Sequence, residues 1–106
     1  MDFQNLIPDM LTSARAAAKG HAADLKNYLQ ARTRLIAEGT VAIARDVLDE
    51  EITLDDAKFA FDEIRASEKT AVLAVKATSR AAAQDAINAA IAVASAALSK
   101  AVGAVL

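Results

Sequence analysis

Residues 81–106, AAAQDAINAAIAVASAALSKAVGAVL, decide how this chain folds. Beyond Asp85 the stretch carries one charge, Lys100, and its apolar residues fall on more than one side of a helix. Ile87, Ile91, Leu98 and Val102 make one stripe, and Ala82, Ala86, Val93, Ala97 and Ala104 make another. A surface helix shows a single apolar stripe, whereas a helix apolar nearly all round is buried on several sides. One neighbouring helix cannot cover both stripes, so the sequence speaks of association. It contains no motif that specifies a chemistry.

Working outward, the rest of the chain reads as helix. There are 28 alanines among 106 residues, with three glycines and one proline, and alanine is the best intrinsic helix former. The clearest local signal is the tip, residues 49–56, where Thr53 suits an N-cap. There Asp55 and Asp56 suit the positive end of a helix dipole, and Ile52 can staple against Ala57. Before the tip, Ala14, Leu25, Ile36 and Val47 recur every eleven residues, beside Ala18, Leu29 and Thr40. After it, Ala57, Ala60, Phe61 and Ile64 are followed at the same interval by Glu68, Ala71, Val72 and Val75, and the series continues to Ala97. An eleven-residue repeat corresponds to nearly straight or slightly right-handed helix packing.

The expected fold is therefore all-α: one domain over residues 1–106, forming a long antiparallel hairpin. Helix 1 is expected over about 9–50 and helix 2 over about 54–102, with a turn at 50–53 and Gly103 where helices often stop. At 1.5 Å per residue such a hairpin is a rod roughly 60–75 Å long. Gly39 could cap one helix before Thr40 opens another, but the eleven-residue phase crosses both Gly20 and Gly39 unchanged. Unbroken helices are expected, each glycine then marking a close backbone approach. In the antiparallel register, residues whose numbers sum to roughly 100–104 lie opposite one another. That places Arg32 beside Glu68, each the charged exception in its own stripe, and predicts an ion pair between them. A two-helix rod is too thin to hide its own apolar area, so the hairpin is expected to associate into a four-helix bundle or a larger helical assembly.

Bulk properties exclude several classes. A net charge of −2 with scattered basic residues argues against nucleic acid, which needs a concentrated basic face. Zero cysteines and a single histidine, His21, fall short of a transition-metal site, and no cofactor or metal is expected. Any Ser-His-Asp arrangement would have to use His21 with Ser13 and Asp24. Helical spacing supplies neither an oxyanion hole nor a pocket for it, so no catalysis and no small-molecule ligand are expected. The apolar run from Phe3 to Ile7 is short, flanked by Asp2 and Asp9 and followed by Pro8, unlike a secretory signal. A cytoplasmic location is expected, with non-classical export left open.

The tip is acidic. Between residues 45 and 63 eight carboxylates face two basic residues, a local charge of −6, and Asp46, Asp49, Glu50, Glu51, Asp55 and Asp56 form its centre. Such a cluster suits a divalent cation or a basic partner, but it lacks the spacing and central glycine of an EF-hand, and a solvated turn is the expectation over a metal. Tyr28 and Phe59 stand outside the main stripes, as partner contacts or as edges of the seam. In outline the chain is similar to small secreted WXG-type hairpins, but its turn is Glu51-Ile52-Thr53, without tryptophan, and no family is assigned.

Three functional readings follow. The leading one is a non-enzymatic protein that self-associates, most simply as a dimer, through Ile87, Ile91, Leu98, Val102, Phe59 and Tyr28. In the second, a membrane-active or secreted hairpin inserts its C-terminal third; the 21 residues from Ala86 are long enough to span, but Lys100 near the middle of a span costs about 3 kcal/mol. In the third, an adaptor presents the acidic tip to a basic protein.

Overall fold

Thr53 opens the second half of the chain as a reciprocal cap. Its side-chain oxygen accepts from the Asp56 backbone N–H, and the Asp56 carboxylate accepts from the Thr53 N–H, both at 3.1 Å. The computed structural model describes residues 3–106. Its helices are α1 (Leu6–Ala18), α2 (Lys26–Leu48), α3 (Leu54–Ala71) and α4 (Ala77–Val102), with single 3-10 turns at Lys19–His21 and Val72–Ala74. Pro8 lies in the first turn of α1, where a missing N–H costs nothing. Gly103, at φ 70°, ends α4 in the left-handed conformation that glycine tolerates best.

The fold is an all-α bundle, but each expected long helix is broken once. The first break, at residues 19–25, begins at Lys19, whose φ of 53° is unusual for a residue with a Cβ. The second, at 72–76, contains no glycine or proline. There Val75 and Lys76 turn extended, at ψ 145° and 140°, and α4 restarts at Ala77. The Arg80 guanidinium reaches back to the carbonyls of Leu73 and Val75, at 3.2 and 3.0 Å, and satisfies acceptors that the break leaves without helical partners. By contrast α2 runs straight through Gly39, so no cap forms there.

Both breaks lie at the same level of the hairpin, so the hairpin is doubled over on itself. Its long dimension is 43 Å rather than the expected 60–75 Å, and its radius of gyration of 13.7 Å is close to the roughly 13 Å of a compact domain this size. The expected antiparallel pairings survive the doubling. Phe3, Leu6 and Asp9 share a cleft wall with Val93, Ala97 and Lys100 at the α1–α4 seam. At the α2–α3 seam Arg32 meets Glu68, and a Cβ built on Gly39 would stand 2.9 Å from Ile64 Cδ1. Gly39 thus marks a close approach, whereas Gly20 has open space around it.

Doubling over also brings α2 against α4, and α1 and α2 together supply most of the cover that α4 needs. Beyond its exposed first turn at Ala77, Thr78 and Arg80, only a narrow line on α4 remains exposed: Ala81, Asp85, Asn88, Ala92, Ala96 and Lys100. Ile87 and Leu98 are fully buried and Ile91 nearly so, beside Met10, Ala14, Leu29, Ile36 and Phe61. The two apolar stripes of α4 thus find their partners inside one chain. The expectation that Ile87, Ile91 and Leu98 form a surface between chains is corrected accordingly, and Val102 is half-buried against the same core.

Candidate functional site

Three regions could carry function: a polar cluster at the end where both breaks lie, the acidic tip at the other end, and the outward face of α3.

The polar cluster centres on Arg32 and Glu68. Arg32 donates from Nε to Oε1 of Glu68 at 2.7 Å and from Nη2 to Oε2 at 2.5 Å, a bidentate pair in which Glu68 is buried and Arg32 partly so. The hydrogen bonds that Arg32 donates to Glu68 raise the Arg32 pKa above the usual arginine value, against the opposing effect of burial. Tyr28 lies beside the pair, half-buried, with its hydroxyl shielded from solvent and without a hydrogen-bond partner. Burial raises the Tyr28 pKa above 10.0, and the Glu68 carboxylate adds to the rise while Arg32 opposes it. His21, in the first 3-10 turn, has Nδ1 3.4 Å from Ser79 Oγ. The structure therefore sets His21 beside Ser79, a partnership across 58 residues that helical spacing could not reveal, rather than beside Ser13 and Asp24.

A cleft of about 490 Å³ adjoins this cluster, lined among others by Asp24, Leu25, Tyr28, Val75, Lys76 and Ser79. Its two charges, Asp24 and Lys76, are of opposite sign. Arg32 and Glu68 neutralise each other, so the cluster offers no uncompensated charge to a ligand. Its contacts fasten α2 to α3, and the first break to α4.

At the tip, Asp49, Glu50, Glu51, Asp55 and Asp56 are exposed and Asp46 is half-buried. The turn is shaped by backbone: the Glu51 N–H donates to the Asp46 carbonyl at 2.8 Å, and Glu50 takes φ 61°. Asp56 is engaged by its cap. Among the described residues no group of three or more acidic or histidine side chains is placed to hold a metal ion.

The third region is apolar and outward. Phe59 is 67% exposed and Leu73 63%. They stand fourteen positions apart, four turns of helix, with exposed Ala66 midway. Tyr28, by contrast, packs against the core. Of the six residues expected at an interface, Phe59 alone is strongly exposed. Leu73 joins it unanticipated, and its seven-residue interval through Ala66 to Phe59 was the signal for it.

The geometry defines a four-helix bundle with a fastened polar end and, among several exposed apolar side chains, an outward pair at Phe59 and Leu73. No protein-family model matches this chain, and no curated protein or solved structure matches it.

Proposed function

We propose that this protein acts without catalysis, as a helical bundle that self-associates through the outer face of α3, most simply as a dimer. One observation carries the reading: within the helical body Phe59 and Leu73 are the most exposed large apolar side chains, fourteen residues apart, ahead of Leu35, Leu48 and Leu54. Isolated exposed apolar residues are ordinary, but an aligned pair flanking a small residue is the pattern that helix–helix contacts use. A face limited to one helix falls below the standard interface area, so a weak, concentration-dependent dimer is the form expected. Sedimentation velocity across the micromolar to millimolar range tests it; a single monomeric species throughout would end the reading.

A second reading draws on α4, whose 26 residues include a window of mean hydropathy 1.3, long and apolar enough to cross a membrane. In the bundle its apolar sides are packed by neighbouring helices, so insertion requires the bundle to open. Flotation with anionic vesicles at neutral and acidic pH tests it, and recovery of the protein in the soluble fraction disposes of it. A third reading, an adaptor with an acidic end, draws on the exposed carboxylates of the tip. Reversal of Asp49 and Glu50, which lie outside the α3 face, would then abolish capture of a basic partner without altering self-association.

A further inference from the structure

The outer face of α3 carries a charge pattern complementary to itself. Asp55, Asp62, Lys69 and Lys76 recur at seven-residue intervals, two acidic and then two basic. Beside them run Phe59, Ala66 and Leu73 at the same interval. All seven residues are exposed. Seven residues are close to two helical turns, so Asp55, Asp62 and Lys69 form one line on α3 beside Phe59 and Ala66; Leu73 follows in the 3-10 turn that prolongs the helix, and Lys76, past the extended Val75, leaves the line.

From this we infer that the occupant of the face is a second copy of the chain, with its α3 antiparallel across a two-fold axis at Ala66. The inference rests on the self-association proposed above and specifies its surface, direction and register. In that arrangement Phe59 meets Leu73 of the partner subunit, and Ala66 meets its own counterpart, where a methyl side chain lets the two backbones approach. Asp62 then lies beside Lys69 of the partner subunit. A two-fold repeats each contact, so the dimer holds two ion pairs and two apolar pairs, as an isologous interface requires. A parallel pairing would set acid against acid and base against base, so direction is dictated by charge. Asp62 already accepts from Arg65 on its own helix through Oδ1, at 2.7 Å. That contact is exposed and holds one of its two oxygens.

Two variants of the full chain test the register: Asp62→Lys, which sets base against base across the two-fold, and Lys69→Asp, which sets acid against acid. Each exposed pair shifts an equilibrium by up to about fivefold, and two attractions become two repulsions. Each variant alone should therefore dimerise at least about tenfold more weakly than the wild type. Mixed together they restore every pair and should form a heterodimer at least as tight as the wild-type dimer. Circular dichroism checks that both remain folded, and raising the salt to 0.5 M should weaken the heterodimer. If the wild type dimerises but neither variant changes it, this face and register are wrong while self-association stands. If each variant loses dimerisation and mixing does not restore it, the antiparallel pairing is wrong. A wild type that stays monomeric at millimolar concentration ends both the inference and the reading beneath it.

Discussion

Arg32 on α2 grips both carboxylate oxygens of Glu68 on α3, at 2.7 and 2.5 Å, where the Glu68 side chain is 4% exposed and the Arg32 side chain 23%. Removing one partner of such a pair strands the other charge in a poorly hydrated seam. Glu68→Ala should cost near the lower end of the roughly 3–5 kcal/mol typical of buried pairs, because Arg32 keeps some access to water. Replacing both, as Arg32→Met/Glu68→Leu, removes the stranded charge and should return stability to within about 1 kcal/mol of wild type. Urea denaturation of the two singles and the double forms the cycle. A single variant as stable as wild type would mean that the pair does not hold the seam.

Tyr28 makes the same seam sensitive to alkali. Its pKa is raised in the folded chain, first by burial and then by Glu68, so the folded state holds the phenolic proton more tightly than the unfolded state. The resulting stability is fully present below pH 10, the unfolded value, and is lost as pH climbs through the raised folded value. Tyr28→Phe removes that dependence. It also removes a hydroxyl buried without a partner, and should therefore stabilise the protein by about 1 kcal/mol at neutral pH. Melts between pH 8 and 11.5 test both effects; an alkaline slope unchanged in Tyr28→Phe would assign it to other groups.

Gly39 sits mid-helix because α3 comes close. An added Cβ would stand 2.9 Å from Ile64 Cδ1, the movable end of a half-buried side chain. Alanine gains about 1 kcal/mol over glycine in a helix interior, and the displaced methyl offsets part of that gain. Gly39→Ala should thus be nearly neutral in the wild type but stabilising in an Ile64→Val background, where Cδ1 is absent. Coupling below about 0.3 kcal/mol in that cycle would show that the two positions do not compete for space.

The features readable from sequence are those set by local chemistry or by the phase of one helix against its neighbour. Thr53 and its aspartates announce the tip, and Gly103 announces the end of α4. Arg32 and Glu68, as charged residues in apolar stripes, point to each other once the hairpin register is known. The doubling over was not legible, because no local signal demands it. The segment Val72-Leu73-Ala74-Val75-Lys76 is as competent for helix as its neighbours, and at the other break the strained residue is Lys19, not the adjacent Gly20. The breaks are imposed by α4, whose two apolar stripes gain more from α1 and α2 of the same chain than an unbroken helix gains from five further residues. The same demand was visible in the sequence, but it reads equally as a call for a second chain. The exposure of Leu73 is not legible from the eleven-residue series, which places Val72 and Val75 in the seam and passes over the seven-residue relation of Leu73 to Phe59.

The second break can be tested at Lys76. Its φ of −51° and ψ of 140° suit proline, Val75 before it is extended as a residue preceding proline prefers, and Lys76 sits at the N-cap, ahead of the first turn of α4. In the doubled-over fold Lys76→Pro should be tolerated and should add about 0.4–1 kcal/mol by restricting the unfolded chain. An unbroken helix through this position would instead lose about 3 kcal/mol or more. Urea denaturation at low micromolar concentration, where the proposed dimer contributes little, separates the outcomes. Marked destabilisation would show that residues 72–76 continue the helix in solution, and the buried state of Ile87 and Leu98 would then require a partner chain.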